Sequence, residues 1–155
     1  MSIVTEARDI HIARIETDVR QCWLAFRELR PHLQSENEFV ERWRKQMEEG
    51  YQVVYVKDGD KVVAAAGYRF LNTMAWGHIL YIDDLVALQT SHRTGLGTLL
   101  RQYLQSEARD GGCDAVHLDT DYQRHLAHGS YLRNGFHMDC HHMAWPVKPL
   151  GNSQP

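Results

Sequence analysis

Long apolar runs, a basic surplus and paired cysteines are all missing from this chain. No stretch approaches the roughly 20 apolar residues of a membrane span, and the N-terminus has no signal-peptide pattern, so a cytoplasmic protein with no membrane role is expected. A formal charge of −3 leaves no basic footprint and excludes nucleic acid as the main partner. Cys22, Cys113 and Cys140 are odd in number and lack CxxC spacing, so they read as reduced thiols that serve as small core residues. Repeats, linkers and low-complexity segments are also absent. What remains is 155 residues, 43% hydrophobic and 24% charged, the balance of one soluble domain that needs no staples. That domain is expected over residues 1–148, with a flexible polar tail at 149–155.

Hydrophobic spacing supplies the elements. Residues 10–15 alternate as a first strand. Asp18 is placed to cap a helix whose Val19, Cys22, Trp23 and Phe26 share a face, and Pro31 stops it. Ser35-x-x-Glu38 is a capping box that opens a second helix, with Val40, Trp43 and Met47 aligned and Gly50 after its end. Residues 51–57 and 61–71 read as strands around Asp58-Gly59, a strong hairpin signal. Residues 79–88 form an extended apolar strand. Leu96, Leu99, Leu100, Tyr103 and Leu104 then share one helical face, and Gly111-Gly112 ends that helix. A short buried strand at 115–119, a helix at 124–134 closed by Gly135, and one or two strands over 136–147 complete the chain. Antiparallel strands followed by a βαβ unit predict a mixed α/β layer fold. Strands 79–88 and 115–119 should be parallel neighbours joined by a right-handed crossover.

The most informative segment is His92-Arg93-Thr94-Gly95-Leu96-Gly97-Thr98, between the apolar strand and its amphipathic helix. A short glycine turn there aims several backbone N–H groups at one spot beyond the helix N-terminus. Unsatisfied donors and the helix dipole both favour an anion at that spot. Two glycines let the backbone approach a ligand closely. A P-loop would need Lys after its last glycine, where Thr98 stands. A dinucleotide fingerprint would need glycine at Leu100 and an N-terminal βαβ unit. The remaining reading is a loop for the diphosphate of some other cofactor.

Asp83 and Asp84 lie inside the apolar strand, where a carboxylate is costly without work or partners. Successive side chains of a strand face opposite ways, so one of the two points into a given cleft, Asp84 by preference unless a bulge shifts the register. A second reading pairs one with an arginine and has the other hold a loop. His137, Cys140, His141 and His142 invite a metal hypothesis, but neighbouring strand residues diverge and no second ligand pair has finger-like spacing, so no metal is expected.

The loop, read as His92-x-x-Gly95-x-Gly97, resembles the acetyl-CoA loop of the GCN5-related N-acetyltransferases, whose pattern is Arg/Gln-x-x-Gly-x-Gly/Ala. His92 departs from that pattern, and Arg93 is the nearest source of permanent charge. Leu80-Tyr81-Ile82-Asp83-Asp84-Leu85-Val86-Ala87 resembles the family's fourth strand, with the loop at the expected offset. Ala127-His128-Gly129-Ser130-Tyr131-Leu132-Arg133-Asn134-Gly135-Phe136 resembles its closing helix. Gln123-Arg124-His125-x-Ala127-His128 and Glu28-Leu29-Arg30-Pro31-His32-Leu33 match one branch.

The resemblance implies the family's acyl-CoA N-acyltransferase fold, a twisted mixed sheet of about six to seven strands flanked by about four helices. It implies acetyl-CoA as co-substrate, held by Leu85, Val86, Ala87, His92, Arg93, Thr94, Gly95, Leu96, Gly97 and Thr98. The fourth and fifth strands should splay, and N–H groups around Leu85 to Ala87 should meet the pantetheine arm and the oxyanion. Tyr131, four residues before Gly135-Phe136, becomes the general acid for the thiolate, its bland alternative being a packing tyrosine. Asp84 or Asp83 becomes the base for direct transfer to a primary amine, whose ammonium pKa is roughly 10.

The acceptor is left open among a polyamine, an aminoglycoside, an amino acid, a small xenobiotic amine and a peptide or protein amine. Its walls are expected from Trp23, Phe26, Glu28, Arg30 and Trp43, with His125 and His128 as further candidates. Family habit implies a possible homodimer through the C-terminal strands. The rival readings are a non-catalytic acyl-CoA-binding or sensor module and a metal-binding protein.

Overall fold

The structure, a computed structural model, describes residues 9–91, 94–121 and 124–148. Its middle layer is one sheet in the order β1-β2-β3-β4-β5. The strands are β1 (Ile10–Ala13), β2 (Gln52–Asp58), β3 (Lys61–Thr73), β4 (Gly77–Ala87) and β5 (Ala115–Leu118). The first four pair antiparallel, and β5 joins β4 in parallel. Helices α1 (Glu16–Arg20), α2 (Trp23–Leu29) and α3 (Glu36–Glu48) belong to one face, α4 (Leu96–Asp110) to the other, and α5 (His125–Arg133) follows β5. The mixed α/β architecture expected from the pattern is therefore present, with five strands and five helices among the described residues.

Two cores flank the sheet. Val19, Phe26, Phe39, Trp43, Val53 and Val86 fill the α1–α3 side. Val54, Val56, Tyr68, Leu80, Ile82, Leu100 and Leu104 fill the α4 side. The helical stripe at Leu96, Leu100 and Leu104 is sealed at 3% exposure or less, as its spacing requires. Cys22 is fully buried and its thiol is pushed up to about 12 by burial, which suits a core residue and not a nucleophile. No helix among the described residues is long and apolar enough to cross a membrane.

Three expectations are corrected. The helix expected from Asp18 to Pro31 breaks into α1 and α2, where the Cys22 N–H donates to Val19 O at 2.9 Å in a tight turn. Asp18 sits inside α1, and its carboxylate accepts from the Arg14 N–H at 2.9 Å and the Ile15 N–H at 3.3 Å. Residues 136–148 form neither strand nor helix, so the sheet stops short of six or seven strands and the element expected to mediate dimer pairing is not a strand. Met138, Met143 and Trp145 stay exposed there. Apolar residues fall on both parities of that stretch and Pro146 has no N–H, so no single face exists to bury.

Candidate active site

Residues 79–88 lie on β4 and its end, but the strand is not uniform. Tyr68 faces Ile82 and Gly67 faces Asp84, so Asp83 is the extra residue of a β-bulge. The parity changes there: Leu80 and Ile82 face the α4 side before the bulge, and Leu85 and Ala87 face it afterwards. Asp83 and Asp84 therefore both line one cavity on the α1–α3 side. The expectation that only one aspartate points into a given cleft is thus overturned by the register shift it had named as the exception.

Both carboxylates are held. Asp83 takes the Arg69 guanidinium as a fork, Nε to Oδ2 at 2.9 Å and Nη2 to Oδ1 at 2.8 Å. Burial raises the Asp83 carboxyl above its ordinary 3.8, and the Arg69 charge opposes that rise. Asp84 accepts from Arg30 Nε at 2.9 Å on Oδ1 and from the Tyr51 hydroxyl at 2.6 Å on Oδ2. Both halves of the second reading, an arginine partner and a loop to hold, find a counterpart here: each aspartate has an arginine, and Asp84 ties the end of α2 to the sheet.

Local sequence explains why those partners arrive. Arg30 precedes Pro31, and a residue before proline is pushed out of the helical region, so α2 ends and Arg30 turns toward β4 with φ −120 and ψ 70. Its Nη2 also donates to the Asp83 carbonyl at 2.9 Å, clamping the bulge. Ser35 caps α3 as expected, with Glu38 N–H donating to Ser35 Oγ at 3.1 Å, but the Glu38 carboxylate accepts from the Gln34 N–H at 2.9 Å and not from that of Ser35, so the expected box is only half made. At its other end Gly50 takes φ +89 and hands the chain to Tyr51. The Tyr51 ring crosses Gly67 so closely that a Cβ there would sit 1.7 Å from the hydroxyl oxygen. Burial and the Asp84 charge hold the Tyr51 phenol well above 10, so it stays a donor.

The cavity encloses about 330 Å³. Of the acceptor walls expected, Phe26, Arg30 and Trp43 line it. Trp23 instead packs its ring 5.7 Å from Phe39, and Glu28 accepts from the Gln89 N–H at 3.3 Å. His128 is turned to the Asp121 carbonyl at 2.7 Å, and the His125 side chain lies outside the described residues. Sequence reasoning missed Tyr51, Gly67, Arg69 and His32 as site residues. Pro31 and Gly50 were the signals available, because each dictates the direction of its neighbour.

His32 lines the same cavity with Nδ1 buried and unpartnered among the described residues. Burial, then the charges of Arg42 and Arg30, hold its pKa below 6.5. A depressed histidine binds fewer protons folded than unfolded, so its contribution to stability is complete above pH 6.5 and is lost as pH falls through the folded value. Unfolding free energy measured across pH 5–7 should fall toward acid, and His32→Leu should flatten that segment; an unchanged slope would remove His32 as its source.

Two further pieces lie along the chain from the end of β4 into α4. The β4–β5 ladder stops at Ile82 and Leu118 while β4 continues to Ala87. The Leu88 N–H donates to Val63 O at 2.8 Å, which makes Val86 and Asp84 the next residues hydrogen-bonded toward β3. Leu85 and Ala87 then turn their N–H groups to the open edge, whereas Val86 turns its own inward. Gly95 caps α4 with φ +74 and supplies no side-chain acceptor, so the first-turn donors, Leu96, Gly97 and Thr98 among them, receive no side-chain cap from that position. A Cβ at Gly95 or Gly97 would meet open space. Thr94, Gly95 and Thr98 are exposed, while the Leu96 side chain is buried in the core. His92 and Arg93 lie outside the described residues.

Tyr131 is half-buried near the end of α5, with its ring edge-on to Phe136 at 5.4 Å. Burial lifts its phenol above 10, and Arg124 and Arg101 moderate the rise. Among the described residues no three His, Cys, Asp or Glu side chains converge as a metal group. His142 instead lies 3.6 Å from Asp119.

The chain belongs to the acetyltransferase (GNAT) family, whose model matches residues 12–136. No curated protein matches it. Solved structures share the fold at low identity. A transcriptional regulator from Bacillus halodurans has a TM-score of 0.77 and 19% identity over 89% of this chain and 98% of its own. An acetyltransferase from Trypanosoma brucei has 0.72 and 19% over 89% and 98%. An aminoglycoside N-acetyltransferase solved in complex with CoA has 0.71 and 12% over 91% and 95%.

Proposed function

We propose that the protein moves the acetyl group of acetyl-CoA directly to a primary amine. The observation that carries the reading is the uncovered β4 edge, which runs from the carboxylate cavity toward the glycine-capped start of α4. The residues present suit the co-substrate: first-turn N–H groups with clear space at Gly95 and Gly97 fit a diphosphate, and Leu85 and Ala87 fit an extended amide arm. Acetyl-CoA supplies an activated thioester carbonyl.

The protein's share of the chemistry is divided between the β4 edge, the bulge and α5. Leu85 and Ala87 N–H groups donate to the thioester oxygen as negative charge grows there. Asp84 and Asp83 draw the acceptor's ammonium to the bulge and favour its approach from the cavity side. Asp83, whose carboxyl burial raises above its ordinary value, takes a proton from the ammonium so that the neutral amine forms the C–N bond, while Asp84 helps to hold the nitrogen. Tyr131 gives its phenolic proton to the departing thiolate as the C–S bond breaks. A phenol raised above 10 remains protonated across the working range, so the acid limb stays filled to about pH 9.

Tyr131→Phe is expected to lower the chemical step at least about tenfold with acetyl-CoA affinity nearly unchanged, read by single-turnover kinetics. Unchanged turnover would remove the acid role. The reading as a whole is tested by calorimetric titration of acetyl-CoA, with ATP and NADH as controls, followed by CoA release with an amine panel. Binding of acetyl-CoA alone with turnover supports the transferase; binding without turnover of any amine identifies an acyl-CoA sensor.

A further inference from the structure

We infer that the acceptor cavity selects a singly charged amine carrying an aromatic or similarly flat apolar body, and rejects polycations. The inference rests on the acetyl-transfer reading above and names the substrate class of that same site.

Charge balance is the first argument. A site for a polycation needs several carboxylates with free capacity, and here each carboxylate already has a cation. The Arg69 fork occupies both oxygens of Asp83, and Arg30 with Tyr51 occupies both oxygens of Asp84. Arg30 and Arg42 themselves line the cavity. Arg42 reaches Glu38 at 3.1 Å on α3, so that pair adds no net negative charge to the wall for a second ammonium to use. His32 stays uncharged at neutral pH, because a proton on its buried Nδ1 would have no acceptor and would face both arginines. A second and third ammonium on the ligand would therefore meet guanidinium groups. One ammonium is accommodated, since each carboxylate oxygen keeps a lone pair after its single hydrogen bond.

Shape is the second argument. The edges of Phe26, Phe39 and Trp43, each 6% exposed or less, supply the apolar part of the lining, with the first two rings 4.9 Å apart. An apolar cavity of about 150 Å³ already holds a benzene ring. The 330 Å³ here leaves room for one ring and a short arm that brings its amine to the bulge. A flat body gains contact with these rings that a hydrated polyamine chain does not.

The test is equilibrium binding, so that it does not depend on turnover. Phenethylamine and spermidine are titrated into the full protein in the presence of CoA, which fills the donor side without reacting, and heats are recorded by calorimetry. Phenethylamine is expected to bind at least about tenfold more tightly. Equal or tighter binding of spermidine, or no binding of either amine, would overturn the inference. Phenethylamine bound tightly but never acetylated would overturn the transferase reading and leave the selectivity standing. Arg42→Glu, on a side chain 57% exposed, provides a variant that folds independently of the core. It should raise spermidine affinity severalfold by giving the wall a net negative charge; no gain would sink the electrostatic half of the argument.

Discussion

Gly67→Ala is expected to destabilise the protein by about 3 kcal/mol and to abolish binding in the cavity proposed to take the acceptor. The new methyl would lie 1.7 Å from the Tyr51 hydroxyl oxygen and 2.2 Å from the ring carbon that bears it. The ring must leave, and it is packed at 5% exposure with nowhere to go inside the α1–α3 core. Its departure also strips Asp84 of the 2.6 Å hydroxyl donor, leaving one oxygen of a half-desolvated carboxylate unsatisfied. Denaturant melts of four proteins check the cause: wild type, Gly67→Ala, Tyr51→Leu and the double variant. If the clash is responsible, Gly67→Ala costs far less in the Tyr51→Leu background. Equal costs in both backgrounds would assign the effect to the backbone and not to the ring.

Arg30→Ala is the second large effect, about 2–3 kcal/mol. Removing one partner of an enclosed ion pair strands the other charge, and the full cost of a buried pair is discounted because the Arg30 side chain is 32% exposed. The Asp84 side chain, at 13%, has little water to turn to. The same guanidinium holds the Asp83 carbonyl at 2.9 Å, so the bulge that aims both aspartates loosens as well. On the function proposed above, stability should thus fall together with a rise in acceptor KM, while affinity for acetyl-CoA, assigned there to the far end of β4 and to α4, is retained. Repeating the change in an Asp84→Asn background separates the terms. There the stranded charge is gone and the stability cost should shrink by more than half; an undiminished cost would point to the carbonyl bond instead.

Much of the fold was legible because its signals are contiguous. The α4 stripe, the Ser35 cap, the Asp58-Gly59 hairpin and the proline stop at Pro31 each operate within a few residues. The break between α1 and α2 was not legible, since Val19, Cys22 and Phe26 keep helical spacing across it. Nor was the unpaired stretch 136–148, where a strand depends on a partner ladder that local pattern cannot supply. At the site, Asp83 and Asp84 were visible as carboxylates out of place in an apolar strand, but their common direction was not. A bulge is a property of the pairing between β3 and β4, not of either strand alone.

Residue order alone thus specifies a glycine-capped helix after an apolar strand, two carboxylates before it and a tyrosine ahead of Gly135. The neutralised, aromatic-walled cavity exists only in the folded chain. Asp84 finds Tyr51 from 33 residues away and Arg30 from 54, and Gly67 matters only because another segment's ring crosses it. Local motifs are written in spacing because they close their own hydrogen bonds. The selectivity inferred for the acceptor depends instead on which distant charges end up touching, contacts that burial strengthens and that no local motif encodes.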